Sequence, residues 1–215
     1  MLLNSHALLK WRLDGQKAPL NRYVAFLRGI NVGGHRVKMD QLRDLFTAVK
    51  LANVSTFIAS GNVIFDAPDT DTAALETRIE AQLKNALGYA VDTFVRTPAA
   101  LAAVAAFQPF AAEELATAGH TLHVGFLRGP LGDVAGMKLL AFRSAMDDFR
   151  VNGREMYWLC RGRTTDSLVS WPLVAKTVAV PSTMRNVTTI RKLAALYPPG
   201  ESGRTPPFFV AKSSR

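Results

Sequence analysis

Residues 24–29 read VAFLRG, and one hundred positions later residues 124–129 read VGFLRG. Both are apolar runs closed by an Arg-Gly pair, and comparable elements follow each. A strand that recurs with its surroundings marks an internal repeat, so the chain reads as two copies of one α+β unit.

Outward from the first copy, residues 22–30 form a compact run with β-branched and aromatic members that the following glycines stop, the pattern of a buried strand. After the loop NVGGHRVK, Met39, Leu42, Leu45, Phe46 and Val49 fall at helical spacing, with Asp40 complementing the helix dipole. Two β-rich runs, 54–59 and 62–66, flank Ser60-Gly61 as a hairpin or tight connection. A second helix starts near Asp69 to Asp71 and runs to Leu87, with Leu75, Ile79, Leu83 and Leu87 on one stripe and Gly88 as its stop. Residues 89–96 close the unit as a strand before Thr97-Pro98. The order β-α-β-β-α-β is that of a ferredoxin-like unit.

The alanine-rich stretch 99–118 predicts one or two helices bridging the copies. The second copy begins at Thr121, with a helix over 134–146 and strands over 148–151 and 155–160 around Asn152-Gly153, a strong hairpin signal. Residues 173–180 read as a short helix or a strand, and 188–196 as a helix. The second copy is therefore divergent. The organisation expected is an extension (1–20), a first ferredoxin-like unit (21–97), a helical linker (98–119), a second unit (120–197) and a disordered tail (198–215), whose prolines and lack of periodicity oppose a packed structure.

Apolar residues make up 48% of the chain and charged residues 20%, the balance of an ordinary globular protein. No apolar stretch approaches the roughly 20 residues that span a bilayer, and residues 1–20 lack the unbroken apolar segment of a secretory signal. The single cysteine, Cys160, lies in an apolar strand-like run and reads as a buried thiol, which places the chain in the cytoplasm. The net charge is +9, unevenly spread: residues 21–127 hold nine Lys/Arg against ten Asp/Glu, and residues 128–192 hold eleven against five. A basic second half either attracts phosphate-bearing partners or is a solvated basic surface.

The segments LRGINVGG (27–34), SGNVIF (60–65) and MRNVTT (184–189) resemble the hallmark segments of the domain of unknown function 1697 family, bacterial proteins with no established activity. The resemblance covers residues 23–196 and implies an α+β fold with ferredoxin-like repetition. Against the family pattern, residues 1–20 are an added segment or a start-site artefact. Val187 stands where the family commonly carries an aromatic residue.

The candidate site is a set of loop and strand-end residues. Arg28 and Arg128 end equivalent strands and either face a common cleft, where two guanidinium forks suit a carboxylate or phosphate, or pair with acids in their own units. Asn31, Gly33 and Gly34 lie between a strand and a helix, as an anion-binding nest or as a tight loop in which the glycines supply positive φ and Asn31 caps its own backbone. Neither a P-loop nor a dinucleotide fingerprint is present. Ser60 and Asn62 offer a hydroxyl and an amide, or simply make a turn. Arg185 and Asn186 supplement an anion site or cap the next helix. His120 and His123, three apart at the start of a strand, point to opposite faces, so no metal site is expected, and no cofactor is implied. The pattern names no reaction and no oligomeric state. The functional reading is a small anionic or phosphorylated ligand held between the repeats. Two alternatives stand beside it: RNA binding through the basic half, with Tyr157 and Trp158 as exposed stacking residues, and an interaction protein with no ligand.

Overall fold

The computed structural model describes residues 19–31, 34–58 and 61–200. The first unit comprises β1 (Asn21–Leu27), α1 (Met39–Ala48), β2 (Ala52–Phe57), β3 (Asn62–Ala67), α2 (Thr72–Leu87) and β4 (Thr93–Arg96). After α3 (Pro98–Ala106) and α4 (Ala112–Ala116), the second comprises β5 (Thr121–Leu127), α5 (Asp133–Leu140), β6 (Asp147–Asn152), β7 (Glu155–Cys160), α6 (Trp171–Val178) and β8 (Ser182–Asn186), followed by α7 (Val187–Leu196). Each unit folds its strands into one antiparallel sheet, in the orders β2-β3-β1-β4 and β6-β7-β5-β8. The chain is a duplicated ferredoxin-like fold.

The unbroken apolar run of β1 follows from burial of both its faces. Tyr23, Ala25 and Leu27 pack under α1 and α2 with Leu42, Phe46, Leu75, Ile79 and Leu83. Val24 and Phe26 face the other way and meet Val124 and Phe126 of β5 in a second core, which also takes Leu101 and Val104 of α3 and Ile190 and Leu193 of α7. The two sheets thus pack face to face, and the Phe26 and Phe126 rings stack at 4.1 Å with an interplanar angle of 7°. A third core, around Phe149, Met156 and Trp158, lies beneath α5 and α6.

Local signals explain most of the boundaries. The Asp71 side chain caps α2 by accepting from the Ala73 N–H, and Gly88 ends it at φ 80°. Several expected boundaries shift, among them the closing strand of the first unit, which spans Thr93–Arg96 rather than 89–96, and three others have a local cause. β1 stops at Leu27 rather than residue 30, because Gly29 takes φ 71° and turns the chain, while Ile30 stays buried in the helix-side core. The helix expected over 134–146 ends at Leu140, since the Ser144 hydroxyl accepts from the Met146 and Asp147 N–H groups and turns the chain into β6. In the second hairpin Asn152 pairs with Glu155, so the central residues are Gly153-Arg154, with Gly153 at φ 59°. Residues 171–178 are helical, capped by Ser170. β8 is an element that the sequence pattern had not disclosed.

Candidate ligand-binding site at the seam of the two units

β4 and β8 occupy equivalent places, each pairing with its unit's first strand. Arg96 lies opposite Val24 and Arg185 opposite Val124, so the two arginines are related by the repeat. Each reaches across the seam into the other unit. Arg185 donates through Nη2 to the Leu27 carbonyl at 2.8 Å and the Gly61 carbonyl at 3.4 Å, and through Nε to Asn62 Oδ1 at 2.7 Å. Arg96 donates through Nη2 to the Leu127 carbonyl at 3.1 Å and the Arg154 carbonyl at 3.2 Å, and through Nε to Glu155 at 2.7 Å. Each guanidinium also lies over the facing unit's phenylalanine, Arg185 over Phe26 at 5.8 Å and Arg96 over Phe126 at 5.2 Å.

The electrostatics of the two clamps differ. Burial pushes the Arg185 guanidinium down to about 10, still protonated at neutral pH. Burial also pushes Arg96 down, but Glu155 and the fully buried Glu76 pull it back. Glu76 accepts from the Val95 N–H at 2.8 Å and from Arg154 at 3.2 Å, with Arg96 at 4.0 Å. It joins both units in one buried ion network.

The expected site residues fall into separate roles. Arg185 and Asn62 meet in the neutral clamp, beside the Leu27 and Gly61 carbonyls, so residues from all three of the motif segments converge at one seam. Gly61, at φ 72°, admits no side chain: a Cβ there would stand 2.9 Å from Ile30 Cγ2. Asn186 caps α7 by accepting from the Thr188 N–H. Asn31 closes its loop by accepting from the Val37 N–H at 2.7 Å, and Gly34 takes φ 89°. Arg28 pairs with Asp92 in its own unit at 3.2 Å, half exposed. Arg128 instead crosses the seam to Glu80, whose hydrogen bond holds its pKa up. Gly33 and Ser60 lie outside the described residues. Tyr157 and Trp158, expected as exposed stacking residues on an open sheet face, are both buried instead.

A cavity of about 280 Å³ opens beside the charged clamp, between Ala100 and Ala103 of α3 and the polar residues Arg96, Asn152, Arg154, Glu155 and Tyr157. Two buried atoms of its lining, Arg154 Nε and the Tyr157 hydroxyl, have no hydrogen-bond partner among the described residues. Burial raises the Tyr157 pKa, so this hydroxyl remains a proton donor. Such orphaned donors are uncommon inside proteins and call for an acceptor. The sequence reading missed Arg96 and Arg154, and it named Tyr157 only as an exposed stacking residue. Arg96 carried a faint signal, since an arginine at the end of an apolar strand is the same feature that singled out Arg28 and Arg128.

A family profile described as "Protein of unknown function (DUF1697)" matches residues 20–157. The chain belongs to the DUF1697 family. That match spans every polar residue of the charged clamp and its cavity, whereas Arg185 lies beyond it. Among solved structures, this DUF1697 chain is similar to a conserved bacterial protein from Streptococcus pneumoniae, with 22% identity and a TM-score of 0.62 over 83% of this chain and 98% of that one. The likeness is one of fold. No curated protein matches the chain. Among the described residues no helix is long and apolar enough to cross a membrane, and no cluster of metal-binding side chains is present.

Proposed function

We propose that this DUF1697 protein binds a small anion, carrying a single carboxylate or similar group, in the cavity at the seam of its two units. The observation that carries this reading is the pair of orphaned donors, Arg154 Nε and the Tyr157 hydroxyl, on one cavity lining. Charge refines the ligand class. Arg96 and Arg154 are matched by Glu76 and Glu155, so the fixed charges balance. A ligand with one negative charge is then favoured over a polyphosphate, which would need a strongly positive field. Hydrogen bonds to a charged acceptor are about twice as strong as neutral ones. The cavity also lies where the repeats meet, so its occupant would tie the units together. The buried Cys160, whose thiol pKa burial raises, fits a reducing, cytoplasmic setting.

The experiment is a thermal-shift panel of acetate, lactate, succinate, inorganic phosphate and AMP, repeated on Tyr157→Phe. A monocarboxylate should raise the melting temperature, and Tyr157→Phe should weaken that ligand roughly tenfold to a hundredfold, the worth of one hydrogen bond to a charged group. The variant itself should fold as the native chain does, because the hydroxyl has no protein partner among the described residues. No stabilising anion, or an equal shift in the variant, overturns the reading. Labelled mixed-sequence RNA titrated at two salt concentrations belongs beside it; tight, steeply salt-dependent binding would move the function to the basic half.

A further inference from the structure

The outer face of the second sheet departs from its counterpart in the first. In the first unit Tyr23 of β1 lies opposite Phe65 of β3, the rings stack at 5.6 Å, and the tyrosine hydroxyl donates to the Asp69 carbonyl. The corresponding pair in the second unit is His123 and Trp158. Beside the imidazole lies a cavity of about 390 Å³ walled by His123, Trp158, Trp171, Met184 and the loop residues Thr164 and Ser167, with no charged side chain in its lining. Both ring nitrogens of His123 are buried and lack a partner among the described residues.

The walls are held in place by contacts of their own. Trp158 donates through Nε1 to Asp147 Oδ1 at 2.8 Å, and Ser167 donates to the other oxygen of the same carboxylate at 2.8 Å. Trp171 lies against Gly125, where a Cβ would stand 2.5 Å from the indole Cη2; the first unit has Ala25 at that place. The glycine is what lets the indole reach the sheet. A preformed cavity lined by aromatic groups and a few convergent polar atoms is the usual form of a small-molecule site.

We propose that this cavity is a second binding site, distinct from the seam, for an uncharged planar heterocycle of nucleobase size. Indole faces and the Met184 thioether supply stacking surfaces. Burial pushes the His123 imidazole down to about 4, so it is neutral near pH 7 and presents one donor and one acceptor. A nucleobase edge offers both complements. An uncharged lining gives a phosphate nothing to pair with, so the ring rather than a phosphate would be recognised.

Two of the chain's three tryptophans line the cavity, so intrinsic fluorescence reports its occupancy. The test titrates the full chain with adenine, cytosine, uracil and hypoxanthine, and with inorganic phosphate as control, following fluorescence and calorimetric heat. The expected result is saturable binding of at least one base. His123→Phe, which fills the site much as Tyr23 fills its own, should weaken that base at least about tenfold, as loss of the polar contacts and the space together implies. Its melting temperature should not fall, and Tyr157→Phe should leave base binding unchanged. No saturable heat from any base at millimolar concentration, undiminished binding by His123→Phe, or saturable binding of inorganic phosphate without binding of any base overturns the proposal.

Discussion

The clamps at Arg96 and Arg185 are the same construction with different chemistry. Both arginines sit at equivalent places on their sheets, cross to the other unit, donate to two backbone carbonyls there and lie over the facing phenylalanine. What differs is the side chain met by Nε: neutral Asn62 on one side, charged Glu155 on the other, with Glu76 behind it. Duplication preserved the backbone acceptors, which the fold supplies at no choice of sequence, and let the side-chain partner drift. The drift turned one clamp into a structural joint and left the other, with its cavity, as the place where a ligand's charge would be felt.

Removing each guanidinium separates the two. Arg96→Met strands Glu155 beside an apolar side chain and takes a cation from buried Glu76, a situation that costs about 3–5 kcal/mol when one partner of a buried pair is deleted. Arg185→Met strands only neutral acceptors among its described partners, for which about 1–3 kcal/mol is expected. Urea denaturation of both variants measures the gap. Equal losses would mean that the backbone hydrogen bonds, rather than the carboxylates, set the strength of both clamps.

The outer faces of the sheets extend the same contrast to pH. His123 replaces Tyr23 and its imidazole pKa is depressed from 6.5 to about 4. Between those values the unfolded chain binds the proton more readily than the folded one, so stability is complete above about 6.5 and falls as pH drops toward 4. The loss from pH 7 to pH 5 should be about 1–2 kcal/mol by proton linkage, and His123→Phe should flatten that slope. An unchanged slope in the variant would place the acid sensitivity elsewhere.

Much of this architecture was legible in the chain. The repeated strand ending in Arg-Gly implied the duplication, and β1 read as a continuous apolar run because helices bury one of its faces and the other sheet buries the other. β8 was not legible. Its five residues, STMRN, are mostly polar because Thr183 and Arg185 spend their side chains on the seam, and its pairing with β5 is long-range. The equivalence of Arg96 and Arg185 was hidden for a related reason. The second copy is shorter in two places: Tyr23 and its partner Phe65 are 42 residues apart where His123 and Trp158 are 35 apart, and α6 has 8 residues where α2 has 16, so equivalent positions slip out of the hundred-residue period. The candidate site was half visible: motif residues did converge, at Arg185, Gly61 and Asn62, but the orphaned donors of Arg154 and Tyr157 arise only from packing.

The smallest expected effect lies at the residues that first marked the repeat. Arg28 and Arg128 end matching strands, yet Arg28 pairs within its unit at a half-exposed site while Arg128 crosses to Glu80 and lies 5.9 Å above the Phe94 ring. Glu80 is further fixed by accepting from the Thr93 N–H at 2.8 Å, so the carboxylate is already oriented before Arg128 arrives and less side-chain entropy is lost on pairing. Arg28→Ala should therefore cost no more than about 0.5 kcal/mol, and Arg128→Ala up to about 1 kcal/mol, within the range of solvent-accessible ion pairs. A double-mutant cycle between Arg128 and Glu80 isolates the cross-seam pair, and its coupling should shrink in high salt as screening shortens the range of exposed charges. If Arg28→Ala proves as costly as Arg128→Ala, the two strand ends are energetically equivalent after all, and the shared cleft that their symmetry first suggested regains its claim over the cavity beside Arg96.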